Sequence, residues 1–133
     1  MFRKQLITRL AALAMVLGMA SVAFADCQKK IALSPSGTGV QLDASGTAEI
    51  RARGTADQRF KVSMDARVAD GTTFAVFANG QLAGTITILL GDGELNLNNR
   101  NGNLLPAGTN PVCSIQSVEV KNGSGVTILS GNF

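Results

Sequence analysis

Apolar and polar side chains alternate with period two through most of the chain after residue 25, and no stretch there holds apolar residues at helical spacing over three turns. Ala48, Ile50 and Ala52 alternate with Glu49, Arg51 and Arg53, and Phe60, Val62, Met64, Ala66 and Val68 alternate with Lys61, Ser63, Asp65 and Arg67. A three-residue loop at Gly54-Thr55-Ala56 joins these runs as a hairpin, with Arg53 opposite Asp57, Glu49 opposite Lys61 and Ile50 opposite Phe60. Facing opposite charges favour that register by about 0.2–1 kcal/mol per pair. Arg51 then lies beside Arg59, a mild conflict.

The middle of the chain predicts a three-strand meander. Asn79-Gly80 suits a two-residue type I′ turn, whose two central residues both take positive φ, and it pairs Phe77 with Leu82 and Ala75 with Gly84. Gly91-Asp92 fits a type II′ turn that pairs Ile88 with Leu95 and Ile86 with Leu97. Phe77, Leu82, Ile86, Ile88, Leu95 and Leu97 then share a core face. Phe74, Val76, Ala83, Thr85, Thr87, Asn96 and Asn98 occupy the opposite one. A last hairpin turns at Asn122-Gly123-Ser124, with Val120 against Val126 and Val118 against Ile128. The phase slip after Cys113 suggests a bulge near Gln116. Lys29–Leu33 and Val40–Leu42 read as short strands, and Leu104–Pro111 as a loop crossing between sheets. The pattern predicts an all-β domain, an antiparallel β-sandwich or small barrel of about seven to nine short strands.

The first 25 residues have a different character. Arg3, Lys4 and Arg9 precede an almost unbroken apolar run from Leu10 to Phe24, and Ala23-Phe24-Ala25 has the small-x-small form of a cleavage site. The run falls short of the ~20 residues that span a bilayer. Residues 1–25 are therefore expected to be a cleaved secretory signal and residues 26–133 a single exported domain, periplasmic or extracellular, with no membrane span. Phe133 alone suits the last strand of an outer-membrane barrel, but a chain without Tyr or Trp has no aromatic girdle.

Export changes the charge and the cysteine chemistry. The whole chain carries +3, but three of its 12 basic residues and no acidic one precede residue 26, so the remainder holds nine of each sign. General affinity for polyanions loses its basis. The two cysteines, Cys27 and Cys113, are expected to form one disulfide in an oxidising compartment. By chain entropy, closing so long a loop stabilises the fold by about 4–5 kcal/mol.

The strings Asp70-Gly71-Thr72-Thr73-Phe74-Ala75-Val76-Phe77-Ala78-Asn79-Gly80-Gln81-Leu82-Ala83-Gly84, Gly93-Glu94-Leu95-Asn96-Leu97 and Gly125-Val126-Thr127-Ile128-Leu129-Ser130-Gly131-Asn132-Phe133 can be compared with known families. Over residues 46–133 the chain resembles a loose group of small exported bacterial β-domain proteins without established activity. These motifs are turn and core positions, so the resemblance implies a fold and assigns no functional residue.

Candidate chemistry is sparse. Arg51, Arg53, Arg59, Lys61 and Arg67 form a possible polyanion or ligand face on the first hairpin, interleaved with Glu49, Asp57 and Asp65. Without an exposed aromatic among them, nucleic acid is not an expected partner. From Asp92 to Gly102 acidic and amide side chains alternate as calcium would like, but an EF-hand needs Gly sixth and an acid twelfth, where this chain has Leu97 and Asn103. No metal and no cofactor is expected. Ser34, Ser36, Ser45 and Ser114 have no His to activate them, and no motif joins them to Lys29, Lys30, Lys61 or Lys121. Asp57 and Asp65 are expected among arginines, a setting that does not suit a carboxylate pair to acid–base work. No catalytic residue is assigned, and the chain is not expected to be an enzyme.

Phe74, Val76 and Ala83 make the second meander face more apolar than a water-facing sheet. Either the terminal strands cover it, or it is an interaction face for a protein partner or another copy. By subtraction, the sequence points to a non-catalytic structural or protein-interaction module of the cell envelope or secretome. The other class it admits is a small-ligand or glycan-binding domain.

Overall fold

The computed structural model describes residues 26–133; the expected signal segment lies outside them. Eight strands follow in chain order: β1 (Cys27–Pro35), β2 (Ser45–Arg53), β3 (Asp57–Asp65), β4 (Thr73–Ala78), β5 (Gln81–Thr87), β6 (Asp92–Asn98), β7 (Ser117–Lys121) and β8 (Thr127–Asn132). All neighbours are antiparallel, in the order β5-β4-β7-β8-β1-β2-β3-β6, and the sheet curls until its two edge strands face each other. The domain is all-β, a nearly closed barrel around one apolar core.

The first hairpin has the predicted register: Arg53 faces Asp57, Glu49 faces Lys61, Ile50 faces Phe60 and Arg51 faces Arg59. Asn79 and Gly80 form the expected turn, with φ of 50° and 77°. Beyond Phe77–Leu82 the register slips, and Val76 rather than Ala75 faces Gly84. Ala83 is the extra residue of a bulge. A bulge inverts the alternation on one side of it, so Leu82 and Phe77 turn outward while Ile86 stays inside. This corrects the predicted faces. Phe74, Val76 and Ala83 are buried in the barrel, at 1%, 0% and 6% exposure, and so cannot serve as an interaction face.

The next turn also differs. It is centred on Leu90 and Gly91, with φ of 53° and 84°, and closes a Leu89–Asp92 pair. Beyond that pair β6 leaves β5 and pairs with β3, Leu95 beside Val62 and Leu97 beside Phe60. The β5–β6 seam is sealed by side chains instead of a ladder. Leu95 lies on Gly84, where an added β-carbon would come within 2.8 Å of its Cδ1.

Val40–Leu42 is not a strand. Gly37–Gln41 forms one helical turn, α1, whose cap Ser36 accepts from the Gly39 N–H (3.1 Å) and donates to the Thr127 carbonyl (2.6 Å). The helix rests on β8 at Gly39, where any β-carbon would run into the Ile128 carbonyl. In the last hairpin Val120 pairs with Leu129, Val118 with Gly131 and Lys121 with Thr127, later partners than predicted. Asn122, whose carboxamide oxygen accepts from the N–H groups of Ser124 and Val126 (3.0 Å each), stabilises a longer loop, and a bulge at Ile128 shifts the register by one more residue. The phase slip near Gln116 marks the exit from a 3-10 turn at Val112–Ser114.

Residues 99–116 cross one end of the barrel between β6 and β7. A disulfide and a buried amide are among the anchors that hold them there. Cys27 and Cys113 are bonded, tying β1 to the 3-10 turn rather than to a late strand. Buried Gln58 accepts from the Val112 N–H through Oε1 (3.0 Å), while its own N–H donates to Asn99 Oδ1 (2.9 Å). Val112 and Ile115 complete the core beneath.

Candidate functional site: the loop end of the barrel

The basic hairpin face does not survive folding as one patch. Arg59 pairs with Glu49 at 2.8 Å and Lys61 with Glu94 at 3.4 Å. Arg67 lies beyond the end of β3, its N–H bound to the Leu42 carbonyl and its guanidinium 3.5 Å from Asp43. Arg51 and Arg53 remain without a carboxylate partner among the described residues. They line a shallow hollow of about 310 Å³ with Asp26, Cys27, Gln28 and Ala52, and no aromatic ring forms its wall. Among the described residues no three acidic or cysteine side chains converge as metal ligands. The residues from Asp92 onward spread along β6, alternate side chains on opposite faces.

Strict alternation of strand direction places four connections at one end: β1–β2, β3–β4, β5–β6 and β7–β8. Hydrogen bonds join them. Ser36 N–H reaches the Ile128 carbonyl, Arg67 N–H the Leu42 carbonyl, and Ala66 N–H the Gly91 carbonyl, each at 2.7–2.9 Å. The Leu90 N–H donates to Asp70 Oδ1 at 2.8 Å. This knitted end carries four of the exposed large apolar side chains: Val40 at 65%, Leu89 at 61%, Leu90 at 90% and Val126 at 44%.

Leu90 is the least expected of them. Its φ of 53° falls in the left-handed region, where a β-carbon crowds the backbone and Asn or Gly is the usual occupant. The chain holds its own comparison: the Asn79-Gly80 turn has nearly the same pair of φ angles, 50° and 77° against 53° and 84°. Where Asn79 relaxes its turn and bonds the Ser114 carbonyl and the N–H groups of Gln116 and Ser117, Leu90 strains its own and points into water. Neither local conformation nor core packing accounts for a leucine here. Such a mismatch singles out Leu90 as a candidate functional position.

The same end is acidic. Asp43, Asp65, Asp70, Asp92 and Glu94 lie in its loops or within three residues of a strand terminus, against Arg67 and Lys121. Asp65 and Asp92 face each other directly across β3 and β6, and Ser45 Oγ donates to Asp65 at 3.4 Å. A side-chain hydrogen bond to Asp65, and then its charge, hold the Asp92 carboxyl above the usual aspartate range. Exposed apolar side chains beside carboxylates can contact a cationic, partly apolar surface.

Sequence reasoning missed this end because residues 40, 89–90 and 126 meet only through the topology. One local signal was available: Leu89-Leu90 breaks the alternation just before Gly91, leaving two adjacent leucines where one strand face has room for one. No protein-family model, no curated protein and no solved structure matches this chain.

Proposed function

We propose that this chain is an exported, non-catalytic interaction module that docks through the loop end carrying Leu89, Leu90, Val40 and Val126. The observation that carries the reading is Leu90, strained and 90% exposed in a turn for which the chain elsewhere uses Asn. Burying that side chain on a partner returns about 1.5–3 kcal/mol, which offsets the ~1–2 kcal/mol that the turn loses. The bonded Cys27–Cys113 pair and the signal-like first 25 residues support an oxidising compartment outside the cytoplasm. The barrel interior is filled with apolar side chains, and charged residues of β2 and β3 face outward, so the fold serves as a rigid mount for its loops. The test is the size of native complexes containing wild-type chain or Leu90→Asn in undenatured extract. The wild type migrates in a complex larger than the free chain, and the substitution releases it. A variant that stays in the same complex contradicts the reading.

A further inference from the structure

The charge neutrality of residues 26–133 conceals a separation along the barrel axis. The loop end has five carboxylates and two cations, a local −3: Asp43, Asp65, Asp70, Asp92 and Glu94 against Arg67 and Lys121. At the opposite end, where the β2–β3, β4–β5 and β6–β7 connections lie, Lys29, Arg51, Arg53, Arg59 and Arg100 stand against Asp26 and Asp57, a local +3. Of the mid-strand charges, Glu49 pairs with Arg59 of the basic end, Lys61 and Glu119 pair with Glu94 and Lys121 of the loop end, and Lys30 adds one more cation, so the separation stands. The basic end also exposes apolar side chains, Leu104 at 93% and Leu82 at 56%. Each end thus presents what the other lacks in charge and matches it in apolar character.

Resting on the docking end proposed above, we infer that its occupant is the basic end of a second copy, so that the barrels associate head to tail. Opposite ends of 3 units each attract over roughly a Debye length, ~10 Å at 0.1 M salt, and like ends repel. That repulsion disfavours the two-fold dimer in which one loop end meets another. A contact between two different surfaces of one molecule leaves each surface free at the ends of the assembly, so growth is open-ended unless the rotation closes a ring. Exposed apolar side chains at both ends supply the contact area that charge alone does not hold.

The experiment uses sedimentation velocity on the oxidised protein and two blocked variants, each checked for an intact thermal melt. Leu89→Asn/Leu90→Asn removes the apolar tip of the acidic end. Lys29→Glu/Arg53→Glu reverses cations of the basic end that lack an ion-pair partner among the described residues. The wild type is expected to grow past the dimer with concentration and to revert toward monomer at high salt. Each variant alone stays monomeric. Mixed, they form a one-to-one dimer through the single pair of intact ends and stop there. A wild type that is monomeric at every concentration, one that saturates as a two-fold dimer, or a mixture that remains monomeric overturns the inference. The first result leaves the docking end to a foreign partner, which the complex-size test of Leu90→Asn decides separately.

Discussion

Leu90→Asn should make the protein more stable, an unusual expectation for removal of a leucine. The backbone at residue 90 is left-handed, with φ of 53°, and a side chain there costs about 1–2 kcal/mol unless it is Asn, Asp or Gly. The substitution yields Asn-Gly, the dipeptide that the chain already uses at Asn79-Gly80. Against that gain stands lost burial. Leu90 is 90% exposed, so at most a few tenths of the roughly 1.5–3 kcal/mol of a buried leucine is at stake. The Leu90 N–H bond to Asp70 belongs to the backbone and persists. The net expectation is stabilisation by about 0.5–1 kcal/mol, a rise in Tm of about 2–6 °C for a domain of this size. Differential scanning calorimetry at low protein concentration measures it without a contribution from association. Leu90→Ala serves as control, since it removes the same side chain without relaxing the turn and should leave Tm nearly unchanged. A fall in Tm for Leu90→Asn, or equal rises for both variants, would refute the reasoning that turn strain is the price of the exposed leucine.

Other expectations follow from the same structure. Folding raises the affinity of Asp92 for its proton through Asp65, so this pair's contribution falls as pH rises above the usual aspartate value of 3.8 and is most favourable below it. Asp92→Asn should therefore raise Tm at pH 7, with the gain shrinking toward zero near pH ~3 as the wild-type carboxyl is protonated; calorimetry across pH reads it. Reduction of Cys27–Cys113, or Cys27→Ser/Cys113→Ser, should cost up to about 4–5 kcal/mol in urea unfolding, because the bond spans a sequence separation of 86. Gln58→Leu leaves the buried Val112 N–H without its acceptor and should cost about 1–3 kcal/mol, with hydrogen exchange accelerated first in residues 99–116. Gly39→Ala drives a methyl into the Ile128 carbonyl and should detach α1 from β8, seen as lost protection at Val40 and Leu42.

The parts of the fold legible in the sequence are those with redundant local signals. The first hairpin was legible from its loop and from the facing positions Arg53/Asp57 and Glu49/Lys61, although folding joins Glu49 to Arg59, Lys61 to Glu94 and Asp57 to Arg100 instead. The Asn79-Gly80 turn was legible because few other dipeptides tolerate two positive φ angles. Its consequence three residues later was not. Ala83 enters as a bulge, and one extra residue exchanges the inside and outside of Phe77 and Leu82 for those of Phe74 and Val76. Gly84 hinted at it, since glycine within a strand often marks a bulge or a close approach, here that of Leu95. The candidate site was illegible for a different reason. Leu90 is an improbable turn residue, so the local pattern favours a turn one position later, at Gly91-Asp92. The separation of charge between the two ends needs the direction of every strand, which no local pattern carries.

The central claim is that the loop end, not a sheet face, is the surface through which this protein associates. Photo-cross-linking in the native compartment tests it most directly, with the reactive side chain introduced in turn at residue 90 and at residue 85 of β5, on the outer sheet surface. The account predicts cross-linked product from residue 90, abolished by Val40→Asn/Val126→Asn on the same rim, and none from residue 85. Product formation from residue 85 with none from residue 90 would contradict it.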